Sequence, residues 1–170
     1  ARIFNALTVS KEEPRWWGAQ LDPVSICLSK GLGAPVGSVL VGSRAFITEG
    51  RRIRKRFGGG MRQAGILAAA GLYALDHHVE RLAEDHLRAK RLEAALLDLP
   101  FIEQVIPVET NIVISTLHPS MSAEDLLLKL REQDVLAARF GSRMVRLVTH
   151  FDLDDDALDR TTAAFRTIAR

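Results

Sequence analysis

The sequence predicts an α/β fold, on three observations. Short runs rich in β-preferring residues recur at 24–28 (VSICL), 37–42 (GSVLVG) and 143–149 (RMVRLVT). Between and after them lie stretches whose apolar residues return at helical spacing. Glycine, proline and acidic capping signals mark the joins, so strands and helices alternate instead of forming separate blocks. With 170 residues, 47% of them apolar, the chain has enough material for an ordinary core.

Taken in order, residues 8–23 are polar and punctuated by Pro14, Gly18 and Pro23, which predicts a short helix and a loop. Two adjacent tryptophans, Trp16 and Trp17, are hard to bury together, and one ring is expected to meet a partner surface. Residues 24–28 and 37–42 read as two buried strands joined by the turn SKGLGAPVGS, Ser29 to Ser38. Helical spacing of Ala45, Ile47, Ile53 and Phe57 predicts a helix over 44–57. Gly58, Gly59 and Gly60 interrupt it, and a new helix is expected from Met61 through Leu99, with Arg62 in its first turn.

No charge occurs between Gln63 and Leu75, so that part of the helix should be buried on all faces or packed on another subunit's helix. Beyond Asp76 the pattern turns amphipathic, and Pro100 ends it. An apolar run at 101–108, ETNIVIST at 109–116, a helix from Ser122 to Gln133, the strand at 143–149 and a helix from Asp154 to Ala169 complete the chain. Ser122 to Asp125 has the form of a capping box, and Asp154 to Asp156 favour a helix start. The organisation expected is 1–75, the end of a large domain; 76–99, a connecting helix; and 100–170, a small α/β domain.

Charge and cysteine content narrow the function classes. The net charge is +2, although Arg44, Arg51, Arg52, Arg54, Lys55, Arg56 and Arg62 face only Glu49 in their interval. Without interleaved aromatics beyond Phe46 and Phe57, that run reads as a solvated helix and not as a nucleic-acid surface. A single cysteine, Cys27, excludes an intrachain disulfide and suits a reducing compartment, so a cytoplasmic location is expected. It reads as a packed strand residue, with no base beside it to make it a nucleophile. The longest uncharged runs are about a dozen residues, short of the roughly 18 needed to cross a bilayer. His77, His78 and His86 lack H-E-x-x-H spacing, and adjacent histidines diverge by about 100° around a helix, so a solvated face and no metal is expected.

Two residues stand out chemically. Lys30 follows a strand and sits in a turn where Gly31 and Gly33 leave room for a ligand and Pro35 stiffens the return. A partly desolvated amine favours its neutral form and condenses with aldehydes, the setting of a pyridoxal phosphate Schiff-base lysine. The alternative is a lysine extending from a strand end into water. Arg146 shares a strand face with Met144 and Val148, and so either breaks an apolar face to hold a ligand or marks an edge strand in solvent.

Longer strings decide between these. LSKGLGAPVGSVLVGS, RRIRKRFGGGMRQAGILAAAGLYAL, PVETNIV at 107–113 and VRLVTH at 145–150 resemble the low-specificity L-threonine aldolases. These are pyridoxal phosphate enzymes of the aspartate-aminotransferase fold (fold type I), and the likeness runs over most of the chain. It implies that Lys30 carries the cofactor, that Lys55 and Arg62 line the pocket partly across a subunit boundary, and that Arg2 and Arg146 bind the substrate carboxylate.

The resemblance further implies cleavage of L-threonine or L-allo-threonine, β-hydroxy amino acids, to glycine and an aldehyde, by a homodimer or homotetramer. Ala1-Arg2 fall at the end of an Asp-Gly-Ala-Arg motif, whose aspartate would lie two positions upstream. The chain is therefore expected to be the C-terminal portion of a larger enzyme: the end of the large domain plus the small one. The histidine that stacks on the cofactor ring and much of the phosphate cup would also lie upstream. Two alternatives stay open: a non-catalytic piece that needs an upstream half, and an aminotransferase or racemase-like relative using the same lysine.

Overall fold

The computed structural model describes residues 2–169, so Ala1 of the expected motif lies outside the described residues. The chain divides into two compact units, Ala1–Leu82 and Ala83–Arg170.

The first unit contains α1 (Ile3–Ser10), α2 (Pro14–Ala19), β1 (Val24–Cys27), β2 (Ser38–Val41), α3 (Arg44–Arg56) and α4 (Gly65–His77). Lys11, left-handed at φ 59°, stops α1, and Pro14 opens α2 where its missing N–H is harmless. Strands β1 and β2 pair antiparallel from Val24↔Val41 to Cys27↔Ser38. Ser43 caps α3 by accepting from the Phe46 N–H at 3.3 Å, and Arg54, Lys55 and Arg56 crowd its negative end. A small core of Leu28, Leu32, Ala34, Ala74 and Leu82 gathers Phe4, Ile26, Leu75 and Val79 around it.

Three expectations are not met within this chain by itself. The strands are not buried: every residue of β2 is exposed, because a two-stranded ribbon has no second layer over it among the described residues. Helix α4 is not buried all round either; it buries Gly71 and Ala74 and leaves Ile66 79% exposed. The single helix from Met61 to Leu99 is two. Residues 61–64 form no helix, and α4 ends at His77 before α5 (Leu82–Leu97) begins. No proline or glycine marks the second break. It falls where His78 bonds the carbonyl of Leu32 and Leu82 is fully buried.

From Ala83 onward the second unit continues α5 and adds β3 (Ile102–Val105), β4 (Ile112–Leu117), α6 (Ala123–Arg131), β5 (Ala138–Arg139), β6 (Met144–Val148) and α7 (Asp155–Ile168). The four strands form one antiparallel sheet in the order β3-β4-β6-β5. Alternation puts Val113, Ser115 and Leu117 of β4, with Val145 and Leu147 of β6, on a buried face. There they meet Ala89, Leu92 and Leu96 of α5, Leu126 and Leu130 of α6, and Leu158 and Phe165 of α7.

The predicted caps form. Ser122 accepts from the Asp125 N–H at 3.0 Å, and Asp154 from the Ala157 N–H at 2.7 Å. Strand β5 is too short to leave a sequence pattern and was not expected.

Candidate active site

Lys30 lies in the loop that joins β1 to β2. Three backbone bonds close that loop: Gly33 N–H to Lys30 O at 2.8 Å, Ala34 N–H to Leu28 O at 3.1 Å, and Leu28 N–H to Gly37 O at 3.0 Å. Leu28, Leu32 and Ala34 point into the core and hold the loop from beneath. Gly33, at φ +68°, takes a left-handed turn that a side chain would strain, and a Cβ on Gly31 would come within 3.1 Å of the Asn5 amide.

Lys30 itself is exposed, contrary to the partial desolvation expected, because the residues buried at this turn are its apolar neighbours. Its ammonium has no hydrogen-bond or ion-pair partner among the described residues. Cys27, at the end of β1, is half-buried, and its thiol lies 3.4 Å from the Ser29 hydroxyl. That hydrogen bond outweighs burial and lowers the thiol below its usual range.

The glycine triplet turns back along α3. A Cβ on Gly60 would meet Lys55 Cδ at 2.7 Å, and one on Gly59 would meet Arg54 Cγ at 2.9 Å. A side chain at either position would push these basic side chains aside. Arg62 is exposed in a turn that precedes α4, not in the first turn of a helix. The triplet therefore does not sit at a helix N-terminus; any anion it meets would be held by the neighbouring cations and turn amides.

A cavity of about 530 Å³ opens in this unit beside Leu28, Ser38, Val39, Arg54, Gly59 and Leu72. Neither Lys30 nor Arg62 lines it. Arg54 does, and it was not singled out from the sequence, where it is one of several equivalent arginines. Arg2 caps the start of α1 with its carbonyl, which accepts the Ala6 N–H at 3.0 Å. Trp16 and Trp17 pack edge to face with centroids 5.2 Å apart, Trp16 half in solvent.

Arg146 belongs to the second unit. Its strand is not an edge: β6 lies between β4 and β5, and Arg146 pairs with Ile114 on one side and Ala138 on the other. The side chain lies on the face opposite the helices, half-buried, and its Nε is buried without a hydrogen-bond partner among the described residues. An orphaned guanidinium N–H of this kind costs about 1–3 kcal/mol unless something accepts from it.

Just beyond Arg146, the Asn111 side chain donates to the Thr149 carbonyl at 2.6 Å, and the Thr149 hydroxyl donates to the Asp85 carbonyl at 2.6 Å. The asparagine of ETNIVIST and the threonine of VRLVTH thus brace β4 against β6 and α5, which fixes the strand carrying the arginine.

Each unit by itself offers groups of the right chemistry: the first an unpartnered lysine amine and a glycine turn pressed on cationic side chains, which suit a pyridoxal phosphate, and the second an orphaned buried arginine nitrogen, which suits a carboxylate. The family model described as beta-eliminating lyase matches residues 1–120. The low-specificity L-threonine aldolase of Escherichia coli K12 is 42% identical over 166 residues, covering 98% of this chain and 48% of that protein. Low-specificity L-threonine aldolase 1 of Arabidopsis thaliana is 39% identical over 169 residues, covering 98% and 47%. The chain spans about half the length of these relatives.

Among solved structures, a candidate aromatic amino acid beta-eliminating lyase/threonine aldolase from Exiguobacterium superposes with a TM-score of 0.80 at 21% identity, covering 98% of this chain and 50% of that one. N-acetylornithine aminotransferase from Stenotrophomonas maltophilia superposes with a TM-score of 0.62 at 20% identity, covering 89% and 42%. The architecture is thus that of a C-terminal part of fold type I, as in these two structures. The chain belongs to the beta-eliminating lyase family.

Proposed function

We propose that this chain carries the reactive lysine and the carboxylate-binding arginines of a threonine-aldolase-type lyase. The reaction is cleavage of L-threonine or L-allo-threonine to glycine and acetaldehyde. The observation that supports it most is Lys30, an amine without a partner on a braced turn, in a chain of this family. Pyridoxal phosphate, when bound, supplies the aldehyde that such an amine condenses with and the ring that takes up the electron pair of the broken Cα–Cβ bond.

The protein's own part is binding and orientation. Lys30 holds the cofactor. Lys55 and Arg62 offer positive charge to anionic groups of cofactor and substrate. Arg146 and Arg2 bind the substrate carboxylate and so decide which bond at Cα is presented for cleavage. The orphaned Nε of Arg146 supports this role, since a carboxylate oxygen satisfies it.

The working enzyme, on this reading, is a homodimer or homotetramer in the cytoplasm, with Arg62 reaching a neighbour's site. Exposed apolar residues on α4 and β2 support an assembly that covers them. No helix among the described residues is long and apolar enough to cross a membrane.

The deciding experiment offers L-threonine and L-allo-threonine to the complete, cofactor-loaded enzyme. Aldehyde and glycine should appear in equal amounts. Formation of a keto acid without aldehyde would assign the lysine to an aminotransferase instead.

A further inference from the structure

The histidine at the end of α4 does not face water as its sequence context suggests. His78 is half-buried, and its ring Nδ1 lies 2.6 Å from the carbonyl oxygen of Leu32, 46 residues away in sequence. A carbonyl only accepts, so Nδ1 carries the proton and donates. Leu32 is in the middle of the loop that presents Lys30, and its side chain is almost wholly buried. The ring of Tyr73 meets the imidazole edge on, with centroids 5.5 Å apart, and keeps it turned toward the loop.

We infer that His78 is a positioning residue for Lys30, its ring fixing the Leu32 carbonyl and thereby the turn from which the reactive amine projects. The inference rests on the reading of Lys30 given above. The geometry explains why a side-chain hold is needed at this point. Gly31 and Gly33 make the loop intrinsically loose. Its own backbone bonds reach back to Leu28 and Lys30, so they close the turn without tying it to the rest of the unit. Buried Leu32 supplies a non-directional anchor. The His78 bond is directional, and it comes from the end of a helix, a rigid support.

The test compares three variants of the complete enzyme. His78→Leu keeps bulk and removes the donor; His78→Gln carries a donor displaced by one methylene; His78→Asn places an amide N–H near the position of Nδ1. Backbone hydrogen exchange over residues 28–37, read by mass spectrometry, should quicken about five- to tenfold in His78→Leu, as expected when one net hydrogen bond is lost.

In the same variant kcat should fall by about tenfold with KM little changed, since a slightly misplaced amine costs turnover more than substrate binding. His78→Asn should recover both readouts and His78→Gln neither. The inference fails if exchange over 28–37 is unaltered in His78→Leu, or if exchange quickens while kcat stays at the wild-type value. Failure of the underlying assignment looks different: a Lys30→Ala enzyme that still releases aldehyde would sink it, whatever the histidine variants do.

Discussion

Val113, Leu117, Val145, Leu126, Leu130 and Phe165 of the second unit come from two strands and two helices that bury one another completely. Among the described residues the first unit's cluster has five buried apolar side chains, while Phe57 is 87% exposed and β2 is exposed along its whole length. Both units have strands, capped helices and ample apolar content. They differ in layering: a four-stranded sheet with three helices closes a core, and a two-stranded ribbon does not. The unit that presents the proposed reactive lysine is thus the one whose apolar surface is left open. The proposed assembly would cover that surface.

Removing the amine gives the largest expected effect. Lys30→Ala should abolish aldehyde release and the visible absorption of protein-linked cofactor without altering the melting of the second unit. If Arg62 serves a neighbour's site, mixing Lys30→Ala with Arg62→Ala subunits should restore part of the activity through hybrids with one intact site. Hybrids shown to exchange but remaining inactive would return Arg62 to its own chain.

Next comes the closed core. Phe165→Ala should destabilise by about 3–5 kcal/mol, the range for deleting a fully buried aromatic side chain. Phe57→Ala in this chain alone should stay within about 0.5 kcal/mol, as for other surface changes. Urea melts of both variants check the contrast. A large loss from Phe57→Ala in the full assembly, absent in the isolated chain, would show that the open surface is covered there. Equal losses from the two substitutions in the isolated chain would break the comparison.

A smaller change is expected at the sheet face. Arg146→Ala removes a charge-assisted pair with the substrate, worth about 1.5–3 kcal/mol, so KM should rise roughly tenfold or more while cofactor retention holds. Arg146→Lys should recover only part, because a single ammonium cannot reproduce the guanidinium fork. Loss of cofactor with KM unchanged would assign Arg146 to the phosphate.

The smallest effect concerns acid stability of the second unit. The Arg88 side chain donates to Asp155 at 3.0 Å, and Arg91 adds a second bond at 3.1 Å; together they hold this carboxyl below the ordinary aspartate range. A folded-state value lower than the unfolded one stabilises at neutral pH, and that contribution is lost as pH falls through the folded value. The window is therefore below about pH 4. Asp155→Asn should flatten acid unfolding of the second unit there and leave its neutral-pH slope alone. An acid midpoint identical to that of the unsubstituted chain would remove the pair from the account.

What could be read without the structure was local. The capping box at Ser122, the helix start at Asp154 and the loop around Lys30 each lie within a few residues, where spacing alone determines which groups meet. Long strings such as LSKGLGAPVGS also carried the family, because their chemistry is concentrated in one segment.

Tertiary structure decided everything that depends on partners distant in sequence. Strand β2 and α4 have the composition of buried elements, but burial requires a second layer that their own residues cannot provide. Arg146 could not be assigned to an interior strand until β5, two residues long, paired beside it. The bond by which Asn111 ties the end of β4 to Thr149, 38 residues on, has no mark in the sequence. His78, next to another histidine on a polar helix end, carries no signal that it bonds a carbonyl 46 residues earlier. Sequence periodicity reports which face of an element is apolar; only the packed chain determines what stands opposite that face.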